Sequence, residues 1–130
     1  MQEAQVTTQA PPRVLIVEDD ALIRKLLRAL FEDRGLALEF AETYKEAAAA
    51  IESSEPRMVI LDLGLPDGDG LDLLRHFREH LRRTEPVLVL TAFRAEEKAV
   101  EAFQHGANDF VTKPFSPREL SDRVHSVLTQ

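Results

Sequence analysis

The side chains best able to do chemistry in this chain stand at the ends of short apolar runs. Val14-Leu15-Ile16-Val17 leads into Glu18-Asp19-Asp20, Met58-Val59-Ile60-Leu61 into Asp62, Val87-Leu88-Val89-Leu90 into Thr91, and Asp109-Phe110-Val111-Thr112 into Lys113-Pro114. Carboxylates drawn to one place repel one another, and ionising all of them is costly unless a cation compensates. Lys113 is one candidate cation. A bound metal is the other, because an all-oxygen donor set without His or Cys suits a hard ion such as Mg2+. Mg2+ takes one or two carboxylates and completes its shell with water and phosphate oxygens, so Glu18, Asp19 and Asp62 together describe a phosphoryl-transfer site.

The elements that must position these residues are legible in the spacing. Apolar runs alternate with helical patterns: Val14 to Val17 then Ala21 to Arg34, Leu36 to Ala41 then Tyr44 to Ser53, and Met58 to Leu61 then Leu71 to Leu81. Val87 to Leu90 then Ala95 to His105, and Asp109 to Thr112 then Pro117 to Leu128, complete five β/α repeats. Leu22, Ile23, Leu26, Leu27 and Leu30 form one helical stripe, and Leu120, Val124, Val127 and Leu128 another. Thr43 with Glu46 and Ser116 with Glu119 read as capping boxes, with Pro117 at the first helical position. Three of the strands are apolar throughout, as strands covered on both faces should be. Alternating units with short connections imply an open, doubly wound parallel sheet with helices on both faces. No Gly-x-Gly-x-x-Gly follows a strand, which favours the order 2-1-3-4-5. In that order Asp62 is central, Asp19 flanks it, and Lys113 reaches in from strand 5, all at the carboxyl ends where such sheets bind ligands.

Composition excludes other classes. The chain has 130 residues with 23 acids, 16 bases, a net charge of −7 and no cysteine. The acidity argues against direct contact with nucleic acid, and the lack of Cys removes disulfide scaffolds and thiol catalysis. No apolar run reaches the roughly 20 residues of a membrane span, and no secretory signal precedes the first strand, so a cytoplasmic protein is expected. Residues 1–12 read as a flexible tail ending at Pro11-Pro12, and 13–130 as one domain.

Singly, each polar residue has a plainer reading. Asp62 alone is a loop cap, Asp20 caps the first helix, and Thr91 and Lys113 are ordinary strand and surface residues. The Asp67-Gly-Asp-Gly70 stretch lacks the alternating ligands of a calcium loop and reads as turns leading into helix 3. His76, His80, His105 and His125 read as surface or packing residues, and Phe77 and Phe103 as core.

As a set, Val17-Glu18-Asp19-Asp20, Asp62, Leu63-Gly-Leu-Pro-Asp-Gly-Asp-Gly70, Leu90-Thr91-Ala92, Gly106-Ala107 and Lys113-Pro114-Phe115 resemble the receiver domain of two-component response regulators, a CheY-like, flavodoxin-like (βα)5 fold. The likeness runs from Arg13 to Leu128. It implies a signalling switch rather than an enzyme, in which Asp62 accepts a phosphoryl group from a histidine kinase, a phosphotransfer protein or a small phosphodonor. It further implies that Asp19, Asp62 and the Gly64 carbonyl ligate Mg2+ directly, with Glu18 acting through water. Lys113, after a cis peptide bond to Pro114, and Thr91 would contact the phosphoryl oxygens. Movement of Thr91 would be followed by Phe110, altering the face of helix 4, strand 5 and helix 5. Asp109, Glu119 and Arg123 match the charged dimer face of winged-helix regulators, while Ala99 and Asn108 depart from it. Gly64, two after Asp62, and Phe93, two after Thr91, bear on the lifetime of the phosphoryl group. The rival readings are a haloacid-dehalogenase-like phosphatase, whose Asp-x-Asp mark is missing at Asp62-Leu63-Gly64, and a degenerate receiver that only binds partners.

Overall fold

The computed structural model describes residues 11–92 and 96–129. The expectations for residues 1–10, for Phe93 and for a helix start at Ala95 lie outside the described residues. The strands are β1 (Arg13–Val17), β2 (Ala37–Ala41), β3 (Met58–Asp62), β4 (Val87–Ala92) and β5 (Asp109–Lys113). Between and after them run α1 (Ala21–Phe31), α2 (Tyr44–Ser53), α3 (Gly70–Arg75, continued by a π turn over His76–His80), α4 (Glu96–Gln104) and α5 (Pro117–Leu128). All four neighbouring pairs in the sheet are parallel, in the order β2-β1-β3-β4-β5, as expected.

Two-residue alternation splits the strands between two cores. Leu15, Val17, Val59, Leu61, Val87 and Val89 face α2, α3 and α4, where Ile51, Leu73, Phe77 and Ala102 meet them. Val14, Ile16, Met58, Ile60, Leu88 and Leu90 face α1 and α5, against Leu27, Phe31, Leu120 and Val124. Both faces are therefore dry, which is why residues 14–17, 58–61 and 87–90 are apolar without a break. Burying each such Leu, Ile or Phe is worth roughly 1.5–3 kcal/mol.

The helix starts follow their punctuation. The Asp20 carboxylate accepts from the Leu22 and Ile23 amides, and Thr43 and Ser116 accept from the Glu46 and Glu119 amides. The box at Thr43 closes one residue early, because the Glu46 carboxylate accepts from the Glu42 amide rather than from Thr43. The Asp67 carboxylate reaches across from the β3–α3 loop and accepts from the Tyr44 and Lys45 amides, which pulls its own proton affinity below the usual aspartate value. That loop is more ordered than simple turns: Gly64–Leu65 and Gly68–Asp69 form a short antiparallel ladder.

Three expectations of burial fail. Leu22 is 75% exposed and Leu26 lies at the surface, so α1 buries a narrower stripe centred on Leu27 and Phe31. Helix α1 also ends at Phe31, short of Arg34. Phe103 is 43% exposed, lying edge-on to Phe110 at 5.6 Å instead of entering the core, whereas Phe77 is fully buried. The buried side of α4 is made instead by the small residues Ala99 and Ala102.

Arg83 joins the α2 end to the approach to β4. Its guanidinium donates to the Ile51 and Ser54 carbonyls, lies over the Phe77 ring and pairs with Glu85. Hydrogen bonding from Arg83 holds the Glu85 carboxyl below the ordinary glutamate value. A carboxylate with a depressed folded-state pKa contributes stability above its unfolded value and loses it as pH falls through the folded one. Glu85→Gln is expected to cost about 1 kcal/mol at neutral pH, with the difference from wild type vanishing in acid. Urea denaturation at several pH values checks this, and a deficit that persists unchanged in acid contradicts it.

Candidate functional site

The sheet register brings the acids together. Val17 pairs with Leu61, so Glu18 and Asp62, each one residue further along, stand side by side at the carboxyl ends of adjacent strands. Glu18 is fully buried and Asp62 is 7% exposed, while Asp19 is open to solvent. One carboxylate oxygen from each of the three lies within 4.8 Å of the others. β5 lies two strands from β3, yet Lys113 spans the gap. Its ammonium nitrogen stands 2.7 Å from Glu18 Oε1 and 3.1 Å from Asp62 Oδ2. The Lys113-Pro114 bond is cis.

Burial, then the adjacent Asp62 carboxylate, push the Glu18 carboxyl up to about 7, against the lowering contact with Lys113. For Lys113, burial works to lower the pKa and is outweighed by contact with Glu18 and by the charges of Asp62 and Glu18, so the ammonium is held above the usual lysine value. The remaining oxygen of Asp62, Oδ1, accepts from the Gly64 amide at 3.1 Å. Thr91 is buried at the end of β4, and its hydroxyl oxygen has no hydrogen-bond partner among the described residues. Phe110 packs with the core that contains Val89, its register partner; Thr91, two residues on, projects to that same sheet face.

The positioning roles of two residues escape sequence reading. Arg24, on the first turn of α1, donates to the Glu18 carbonyl at 3.0 Å and pairs with Glu42 at 3.5 Å, tying the acidic loop to the end of β2. Its only signal is an arginine one turn beyond the acidic triplet. Gly70 closes the loop behind Asp62: its amide donates to the Leu63 carbonyl at 2.9 Å. A Cβ there would stand 2.6 Å from Leu63 Cα and 2.7 Å from the Asp62 carbonyl oxygen. Neither is the end of a movable side chain.

Comparison with known proteins agrees with this geometry. The family model described as "Response regulator receiver domain" matches residues 14–125. This chain is a response regulator receiver domain. The receiver is 39% identical over 117 residues to the phosphate regulon transcriptional regulatory protein PhoB of Escherichia coli, covering 89% of this chain and 51% of PhoB. It is 42% identical over 116 residues to the transcriptional regulatory protein PhoP of the same organism, covering 89% of this chain and 52% of PhoP. The chain thus spans about half the length of the curated relatives it matches. A crystal structure of a putative response regulator from Chloroflexus aurantiacus superposes with a TM-score of 0.86 at 36% identity, covering 92% of this chain and 99% of that one. Receivers of this family are signalling switches that bind Mg2+ at an acidic pocket and interact with histidine kinases. The phosphatase reading is not favoured. Among the described residues no helix is long and apolar enough to cross a membrane.

Because the backbone of Asp62 and Leu63 leaves no room behind it, Gly70→Ala is expected to destabilise the receiver by about 1–3 kcal/mol and to displace the Asp62 amide signal. Chemical denaturation and amide spectra check this; an unchanged midpoint would show that the loop yields freely.

Proposed function

We propose that Asp62 of this receiver is phosphorylated by a histidine kinase, a phosphotransfer protein or a small phosphodonor in a Mg2+-dependent reaction. The observation that carries the reading is the convergence of the Lys113 ammonium on both buried carboxylates, Glu18 and Asp62, at the carboxyl edge of the sheet. The donor set fits the ion: three carboxylates, oxygen only, with ligand atoms close enough to share one centre. Asp19, Asp62 and the Gly64 carbonyl would hold it, with Glu18 acting through water. When bound, Mg2+ supplies positive charge against the carboxylates and the phosphoryl oxygens.

In the transfer, an Asp62 carboxylate oxygen attacks phosphorus. The new O–P bond forms as the P–N bond to the donor imidazole breaks, and the leaving imidazole takes up a proton. Lys113, already at the Asp62 carboxylate, stabilises charge on the transferring oxygens. Thr91 supplies the next element, since its hydroxyl, without a partner among the described residues, can donate to a phosphoryl oxygen. Its inward movement would free space for Phe110 and carry the change to α4, β5 and α5. Self-association through that face is part of the proposal, supported by the exposed Val100 and Phe103 on α4 and by the Arg123–Asp109 pair at 2.7 Å. Residues 13–130 form the receiver domain, with 1–12 as a tail before it. Residence in the cytoplasm follows from the family rather than from a feature of this chain.

With Mg2+ and acetyl phosphate, wild type should gain one acyl-linked phosphoryl group by intact-mass measurement, and Asp62→Asn none; equal incorporation in both would defeat the reading. Beryllofluoride with Mg2+ should move amide signals at Thr91, Phe110 and α4, and shifts confined to the acidic loops would contradict the coupling. In sedimentation of the same sample, the mass of a single chain at every concentration would exclude the dimer.

A further inference from the structure

A cleft of about 330 Å3 beside α3 holds chemistry that the phosphoryl site does not use, lined by Tyr44, Asp72, Arg75, His76, Glu79 and His80. His76-Phe77-Arg78-Glu79-His80 has the order H-x-x-E-H, two imidazoles four residues apart with a carboxylate beside the second. That spacing is one in which a helix can present zinc ligands on a single face.

The backbone singles out the same five residues. They form the π turn that continues α3, closed by the Leu81 amide donating to the His76 carbonyl at 3.0 Å. Such turns are rare and recur at functional sites. The wider turn with its lower rise brings residues four apart closer along the axis, and the His76 and His80 ring centroids stand 5.4 Å apart at 44°. Phe77 between them is buried in the core, which fixes the direction in which both imidazoles project. His76 is half-buried and His80 exposed, so the pair opens to solvent. Of the two acids in the cleft, Asp72 is held by Arg75 at 3.7 Å. Glu79 has a longer reach; among the described residues it is engaged only by His105, at 3.6 Å, and must turn from it to bring its carboxylate beside the two imidazoles.

We propose that this cleft binds a borderline-soft divalent transition ion, of which Zn2+ is the type, through His76 and His80 with Glu79 as third donor and water completing the shell. Imidazole nitrogens select such an ion over Mg2+, whose oxygen ligands lie at the carboxyl edge of the sheet. The two sites thus divide metals by donor chemistry. Recruiting Glu79 would draw it from His105, at the end of α4, so that occupancy of the cleft is felt at that helix.

The test is a calorimetric titration of the full chain with Zn2+ in excess Mg2+, with histidine ring spectra recorded in parallel. One equivalent should bind, moving the His76 and His80 ring signals. His76→Gln and His80→Ala should each weaken binding by at least about tenfold, and Glu79→Gln by less. Asp62→Asn should bind as wild type does. His80 is at the surface, so its variant reports on the site without a folding defect, which circular dichroism confirms. Binding that survives His80→Ala undiminished, or that disappears in Asp62→Asn, overturns the proposal. So does uptake by wild type no greater than by the His76→Gln/His80→Ala double variant.

Discussion

The structure turns on one electrostatic constraint. A fully buried glutamate and a nearly buried aspartate are held side by side at the end of a dry sheet, and a single ammonium reaches both. Two carboxylates this close cannot both be ionised cheaply, and Glu18, whose carboxyl burial raises to about 7, carries most of that strain. Lys113 answers part of it. The remainder is unmet negative charge facing solvent through Asp19, which favours a divalent cation, and only with that cation in place would anionic phosphoryl oxygens be tolerated beside the carboxylates.

Much of the fold exists to maintain this placement. The β1–β3 register sets Glu18 level with Asp62, and β5 at the far edge supplies the lysine. Arg24 anchors the acidic loop, and Gly70 lets α3 start against the backbone of Asp62 and Leu63. In the proposed switch Thr91 is the adjustable part. Its buried hydroxyl lacks a partner among the described residues, a state that costs free energy until an acceptor arrives, and it shares a sheet face with Phe110. Under the proposed switch, charge arriving at Asp62 would have a packing consequence in the core beneath α4.

The sheet and the site were legible for the same reason. Strands covered on both faces must be apolar until they emerge, so the first polar residue after each run marks the ligand edge, and Glu18, Asp62 and Thr91 could be read in that way, with Lys113 placed by the end of the edge strand. Side chains committed to distant partners were not legible. Asp67 caps a helix more than twenty residues away, and Arg83, not its neighbour Arg82, is the one that gathers carbonyls from α2; neither choice leaves a periodic trace. Helical spacing also overstated burial for Leu22, Leu26 and Phe103, because periodicity gives a face but not how closely that face approaches the sheet. The π turn over His76–His80 had no local signal within the helical pattern that runs from Leu71 to Leu81.

The central claim is that the carboxylate paired with Lys113 at the centre of the sheet is the one that carries the phosphoryl group. Reduction of the acetyl-phosphate-treated protein with borohydride converts an acyl phosphate to an alcohol, and peptide mass spectrometry then reads the position. The expected result is a single aspartate converted to homoserine, at residue 62, only when Mg2+ is present. Conversion at Asp19, Glu18 or any other carboxylate, or phosphate found on a histidine, would contradict the account.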